Sequence, residues 1–426
     1  MIRKPLLILA LLLPLLASAQ DLSYAREVVD TLASKSFSGR GYVNSGDKTA
    51  ADYISSEFKK IGLESFQRGY FQKFSTPVNS FPGTMELALN GITLKAGTDY
   101  LIEPGSPAVN GSFSTVTITT AEMFDLQALS GKLRSAAGKF IVIPTYDKGS
   151  YSKEQQQQIQ GVINFLRYHP DNPAAGSVIF TRNKLTWSAS TRLNAKASFT
   201  VHTEVDEPTA MEKVKVNVKN KFFKQYKTQN VMGYVEGTNT DSLIVLTAHY
   251  DHLGMMGSDA IFPGANDNAS GIAMLLSLAK HFQANKPEYT TVFMAFGAEE
   301  LGLLGAKHYV ENPLFPLESI KFLINFDITG TGDEGIQVVN GKLYRDKFDR
   351  LVKLNEEQNL LAQVKIRGEA CNSDHCMFHQ QKVPAFYIYT LGGIQAYHDI
   401  HDRSETLPLT EFGDYFKLVK AFIDGL

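Results

Sequence analysis

The chain has 426 residues, 43% hydrophobic and 20% charged, with a formal net charge of -2. This is the composition of a soluble globular protein long enough for two or three compact units. The charge balance excludes nucleic acid as a partner class, since phosphate binding needs clustered basic residues.

The chain opens with MIRKPLLILALLLPLLASAQ. Arg3 and Lys4 precede an apolar run from Pro5 to Leu16, and Ala17-Ser18-Ala19 fits the small-x-small cleavage rule. The expectation is a signal peptide over 1–19, removed on export to a periplasmic or extracellular location. The apolar run is too short to span a bilayer, and no later segment is predicted to do so. DLSYAREVVDTLAS (21–34) reads as a helix. After the turn-rich FSGRGYVNSGD comes a second, DKTAADYISSEFKKIG (47–62), with Ala50, Ile54, Phe58 and Ile61 on one face.

From about 82 to 215 short strand-like runs such as TMELALNGITL, STVTITT, KFIVIPTY and SVIF alternate with Gly, Pro and Ser turns. This predicts an inserted β-rich domain. The glutamines at 155–158 read as a polar surface patch. The basic stretch MEKVKVNVKNKFFKQYK (211–227) alternates lysine with valine, the pattern of a strand with one wet face.

Beyond 228 the pattern is α/β. SLIVLTAHY, TTVFMAFGAEE, SIKFLINFD and VPAFYIYT are near-continuous apolar strands, separated by helical runs such as ASGIAMLLSLAKHF and LGLLGAKHYVEN. The expected fold is α/β, with a mostly parallel central sheet and helices on both faces. The predicted division is 20–81 and 216–426 in one domain and 82–215 in the insert.

Acidic and histidine residues fall where these strands end: His249 and Asp251, Glu299 and Glu300, Asp327, then Asp267 and His398 in adjoining loops. In open α/β sheets the carboxyl ends of the strands form the ligand crevice. Each signal alone has a plain explanation: an HxD pair is often structural, Glu-Glu is usually solvated, and an Asn-Asp-Asn loop is usually a turn or cap. Their convergence on one sheet edge outweighs these. Two histidines with three or four carboxylates are too many for one catalytic zinc but suit two metals sharing a carboxylate. His169, His202, His281 and His308 lack carboxylates at ligand spacing. His252, His375 and His379 lie near enough to support ligands from behind. Met255, Met256 and Phe262 read equally as a substrate pocket or as loop packing. Cys371 and Cys376 are five positions apart; export permits a disulfide between them, and a tight loop leaves two thiols as the alternative.

Together AHYDHLG, GANDNASG, FGAEELGLLG, NFDITG and YHDIHD resemble the co-catalytic zinc exopeptidases, over roughly 22–75 and 225–426. That family includes bacterial leucyl aminopeptidases, glutamate carboxypeptidase II, the transferrin receptor and glutaminyl cyclases. The insert sits where many members carry a protease-associated domain. The resemblance implies two Zn(2+), with Asp267 bridging both, His249 and Asp327 completing one site, and Glu300 and His398 the other. It implies Glu299 as general base, Asp251 as the carboxylate orienting His249, and a cis peptide after Asp267. In YHDIHDRSETL it favours His398 over His401, since Tyr397 precedes it and Asp402 follows four later. The implied activity is removal of N-terminal residues from peptides, with a carboxypeptidase, a one-zinc glutaminyl cyclase or a binding protein as alternatives. Peptides are the expected partners, with no obligate protein partner evident. The segment EACNSDHCMF lacks the tyrosine that helps hold the oxyanion in bacterial aminopeptidases, which leaves that helper unassigned.

Overall fold

The computed structural model describes residues 22–204 and 210–426; the expected signal peptide lies outside them. Two eight-stranded sheets organise the chain. At the centre of the first, Tyr289–Phe296, Asn239–His249, Ile320–Phe326 and Ala385–Thr390 run parallel in that spatial order. Both flanks turn antiparallel: Lys221–Val235 and Phe71–Ser80 on one side, Ile336–Val339 on the other. The sheet is therefore mixed, with its parallel part in the middle. That part is buried on both faces, which is why its strands are apolar at consecutive positions. Val245, Leu246, Phe293, Met294, Leu323 and Ile324 are all fully buried.

Helix Ser270–Ala284 packs on one face, with Leu22–Leu32, Gly46–Ile61 and Phe412–Ile423 around it. Ala50, Ile54 and Phe58 of the second helix are buried, as their spacing predicts, and Gly62 ends it at a φ of 90°. Leu304–Glu311 and His375–Gln380 cover the other face through Ala306, Tyr309 and Phe378.

The second sheet draws all its strands from residues 85–218, with Lys213–Val218 and Val109–Thr117 at its middle. Val214, Val216 and Val218 point inward and Lys213 and Lys215 outward, a half-wet strand, but the basic stretch 211–227 is not one strand: it breaks before Lys221–Val235, which belongs to the first sheet. The segment is less purely β than its sequence suggests. Lys153–Tyr168 is a helix, started by a capping box between Ser152 and Gln155, and Ile159, Ile163 and Leu166 bury one face of it. The four glutamines are its first turns. Among the described residues no helix is long and apolar enough to cross a membrane.

Candidate metal centre

The parallel strands all point their carboxyl ends to one place. Asn239–His249 delivers His249 as its last residue. The turn after Tyr289–Phe296 carries Glu299 and Glu300, and Asp327 follows Ile320–Phe326 directly. Asp267 comes from the loop before helix Ser270–Ala284, where the peptide Asp267-Asn268 is cis. His398 follows Ala385–Thr390 at a φ of 56°.

Asp267 sits between two imidazoles, one on each carboxylate oxygen. His249 Nε2 is 3.4 Å from Asp267 Oδ1 and 3.4 Å from Asp327 Oδ1. His398 Nε2 is 3.1 Å from Asp267 Oδ2 and 3.3 Å from Glu300 Oε2. The structure thus brings His249, Asp267, Asp327, Glu300 and His398 into one cluster. His401 stays outside it, exposed, with its backbone N–H on Asp399. The donor atoms of His249, Glu299 and Asp327 lie within 4.8 Å of one another, as do those of His252, Asp267 and Glu300. His252 is thus closer to the centre than its sequence context suggests. Its Nδ1–H donates to Glu300 Oε1 at 2.7 Å, and its buried Nε2 has no partner among the described residues.

Carboxylates outnumber imidazoles here, and the protonation balance follows. Burial disfavours the His398 imidazolium, but Glu300 and Asp267 outweigh it and raise its pKa to about 11. The same contest holds His249 well above the ordinary histidine value, through Glu299 and Asp327. Burial pushes Glu299 well up, and Glu300, Asp374 and Asp327 add to that while His249 opposes it. Burial would raise Asp267 too, but hydrogen bonds from His249 and His398 bring it well below the usual carboxylate range. A cluster that draws protons this strongly is electrostatically short of positive charge.

Asp251 holds the site differently from the expectation. Its backbone carbonyl, at 3.1 Å, takes the hydrogen bond of His249 Nδ1–H, while its carboxylate lies 3.9 Å away. The carboxylate instead accepts the backbone N–H groups of Glu299 at 3.0 Å and Glu300 at 3.3 Å. Two residues after His249, the main chain is the nearer acceptor, which frees the carboxylate to fix the turn bearing both glutamates.

The Asp267 loop is gripped from both sides. Asp402 accepts the backbone N–H groups of Asn266 and Asp267 at 2.8 and 2.9 Å. On the other side is Arg40, fully buried in the FSGRG turn. It donates to the carbonyls of Tyr250, Leu32, Pro263, Gly264 and Asp267 at 2.6 to 3.1 Å. Only glycine fits at Gly264, which has a φ of 60° and whose missing Cβ would strike Asp267, His252 and Arg40. Asp327 is held by Ser373 Oγ at 2.8 Å, which accepts in turn from Asn325 at 2.8 Å. Asp327 Oδ1 is buried with no hydrogen-bond partner among the described residues. Cys371 and Cys376 form a disulfide around this Ser373 segment.

Sequence reasoning missed Arg40, Ser373 and the support of His398 by Trp187, whose carbonyl is 2.9 Å from His398 Nδ1. It left Met256 and Phe262 open. Both are buried in the core of the second sheet beside Trp187 and Phe81, so they are packing.

Comparison with known proteins bears on the fold that carries these residues. The chain is 28% identical over 352 residues to the aminopeptidase YwaD of Bacillus subtilis, covering 78% of this chain and 68% of that protein. Among solved structures, a Peptidase M28 precursor from Shewanella amazonensis superposes with a TM-score of 0.69 at 18% identity, covering 95% of this chain and 93% of its own. The zinc aminopeptidase BSAP of Bacillus subtilis does so with a TM-score of 0.68 at 20% identity, over 94% of each chain. The segment 230–423, which contains every donor facing the cluster, matches the model of Peptidase family M28.

Proposed function

We propose that the protein is an aminopeptidase holding two zinc ions, and that it works on peptides after export. One observation carries the reading: each oxygen of Asp267 faces its own imidazole, so a single carboxylate serves two sets of donors. The residues fit such a pair. Nitrogen and carboxylate oxygen are the donors zinc takes, and Asp327 Oδ1 is a buried acceptor that has no hydrogen-bond partner among the described residues and faces His249 Nε2 at 3.4 Å. His249 and Asp327 with Asp267 would hold one ion, and Glu300 and His398 with Asp267 the other. When bound, such ions would supply Lewis acidity and lower the pKa of a bound water to about 7.

The chain's own groups do the rest. Glu299 stands at the cluster without being spent on Asp267, and its backbone is pinned by Asp251. It takes the proton of the attacking water and delivers it to the departing amine nitrogen, first base and then acid. His249 Nδ1 is occupied by the Asp251 carbonyl and His398 Nδ1 by the Trp187 carbonyl. Both imidazoles therefore present Nε2 to the cluster.

The residues 1–19 have the composition of an export signal, and the disulfide suits an oxidising compartment. The inserted unit, read as 82–215 between the parts 20–81 and 216–426, is supported by a separate sheet with strands from 85 to 218, whose core also takes in Leu253, Met256, Ala260 and Phe262. The deciding experiment is a panel of aminoacyl fluorogenic substrates beside N-blocked peptides, with and without chelator, with zinc counted per chain. Cleavage of free-amine substrates alone, abolished by chelator, with two zinc ions per chain, is expected. Cleavage of the N-blocked peptides, or one zinc per chain, would refute it.

A further inference from the structure

The donors facing Asp267 are not supported alike. His249 is oriented from its own strand end, through the Asp251 carbonyl. His398 is oriented from the inserted unit. Its Nδ1–H donates to the Trp187 carbonyl at 2.9 Å, and the Trp187 backbone N–H donates to the His398 carbonyl at 3.0 Å. Trp187 lies between the strands Gly176–Thr181 and Ala197–His202 of the second sheet. From the same segment, Lys184 Nζ donates to the carbonyls of Gln395 at 2.7 Å and Tyr397 at 2.9 Å, and pairs with Asp399 at 2.7 Å. The loop is therefore tied to the insert on both sides of His398.

We propose that the segment Lys184–Trp187 of the insert is the positioning element for His398, so that the insert sets the affinity of one metal site of the two. The proposal rests on the reading of His398 as a ligand. Three observations support it. A carbonyl on Nδ1 fixes the imidazole as the tautomer whose Nε2 carries a lone pair, the form a cation needs. His398 sits at a φ of 56°, a left-handed conformation that costs free energy and persists where the surroundings over-determine it. The Trp187 carbonyl is itself rigid, because its indole Nε1–H donates to Ile102 at 2.8 Å and its ring packs on Phe262 with centroids 4.7 Å apart. The insert thus acts on the reaction through a metal ligand rather than by touching substrate.

The test uses the full chain and the metal alone. Lys184 is partly exposed, so Lys184→Met should fold normally by circular dichroism. Titration against a chelator of known zinc affinity should show one zinc weakened about 10- to 100-fold and the other unchanged, the range for losing a group that orients a ligand. Lys184→Arg should recover most of the loss. At low zinc kcat should fall with KM unchanged, and excess zinc should restore it. Trp187→Ala should weaken the same zinc further. If both zincs keep wild-type affinity in Lys184→Met and in folded Trp187→Ala, the proposal is overturned. His398→Ala separates the two levels. If it keeps both zincs, the ligand assignment fails and the proposal with it. If it loses one while the Lys184 and Trp187 variants lose none, only the positioning role fails.

Discussion

Arg40→Lys tests how the Asp267 loop is held. The substitution keeps the positive charge, so it isolates geometry. Arginine here has five buried N–H···O bonds, to the carbonyls of Tyr250, Leu32, Pro263, Gly264 and Asp267. Lysine offers three donors from a single point, so at least two of the five bonds are lost; Gly264 O keeps the Ala269 N–H at 3.2 Å, so at least one carbonyl is left without a partner in a site closed to solvent. An orphaned buried acceptor costs about 1–3 kcal/mol, so the expected loss is at least of that size, a large share of the ~5–15 kcal/mol that holds a typical protein folded. Urea unfolding of the metal-free variant, followed by circular dichroism, measures this. Two of the five contacts are on Gly264 and Asp267, so zinc affinity should fall with stability. A variant within ~0.5 kcal/mol of wild type, with unchanged zinc binding, would refute the idea that Arg40 holds the loop.

On the proposed two-zinc reading, Glu299→Gln should keep the metal bound and lower kcat by about 10²–10⁴-fold, the usual range for a general base; near wild-type turnover rules the role out. His398→Ala should lose zinc and activity while His401→Ala, exposed and off the cluster, changes little; the reverse would shift the ligand register by three. Asp47 is buried, which raises its pKa from 3.8 to about 6 against the opposing hydrogen bonds of Tyr226 and Thr228. The folded state then binds more protons than the unfolded state between those values. Its contribution to stability is present at low pH and is lost as pH rises from about 4 to 6, by up to ~3 kcal/mol; Asp47→Asn should flatten that slope in pH-dependent denaturation, and an unaltered slope would assign it elsewhere. Reducing the Cys371–Cys376 bond should cost about 2 kcal/mol, the chain-entropy value for so short a loop; an unchanged Tm with reductant shows that the bond adds nothing.

The parallel strands and the donors at their ends were legible because each is written locally. A strand buried on both faces must be apolar throughout, and His249, Glu300 and Asp327 follow such runs directly. What stayed hidden works through main chain. Nothing in FSGRG says that Arg40 addresses five carbonyls, and nothing in LTWS says that the Trp187 carbonyl meets His398, since every residue carries those groups. Asp251 was expected to orient His249 through its carboxylate; the carbonyl lies nearer, at 3.1 Å against 3.9 Å, a main-chain contact that the sequence does not write. The helix Lys153–Tyr168 could have been found from Ser152 and Gln155, whose capping pattern was overshadowed by the run of glutamines. Met256 and Phe262 could be settled only by the neighbour they pack against, a core contributed by residues far earlier in the chain.

The Trp187–His398 link uses an amide and a carbonyl on one side and an imidazole on the other. Natural variation there is therefore constrained in shape rather than in letters. The carbonyl at position 187 is common to every residue, but the Trp187 indole holds its path, and a one-residue insertion between Lys184 and Trp187 would change no chemistry and still move the acceptor away. Grafting another insert onto this peptidase would thus have to reproduce the backbone trace of one short loop as well as the packing on Leu253, Met256 and Phe262. A chain reduced to residues 230–423 would carry every metal donor and still lack both Arg40 and that acceptor.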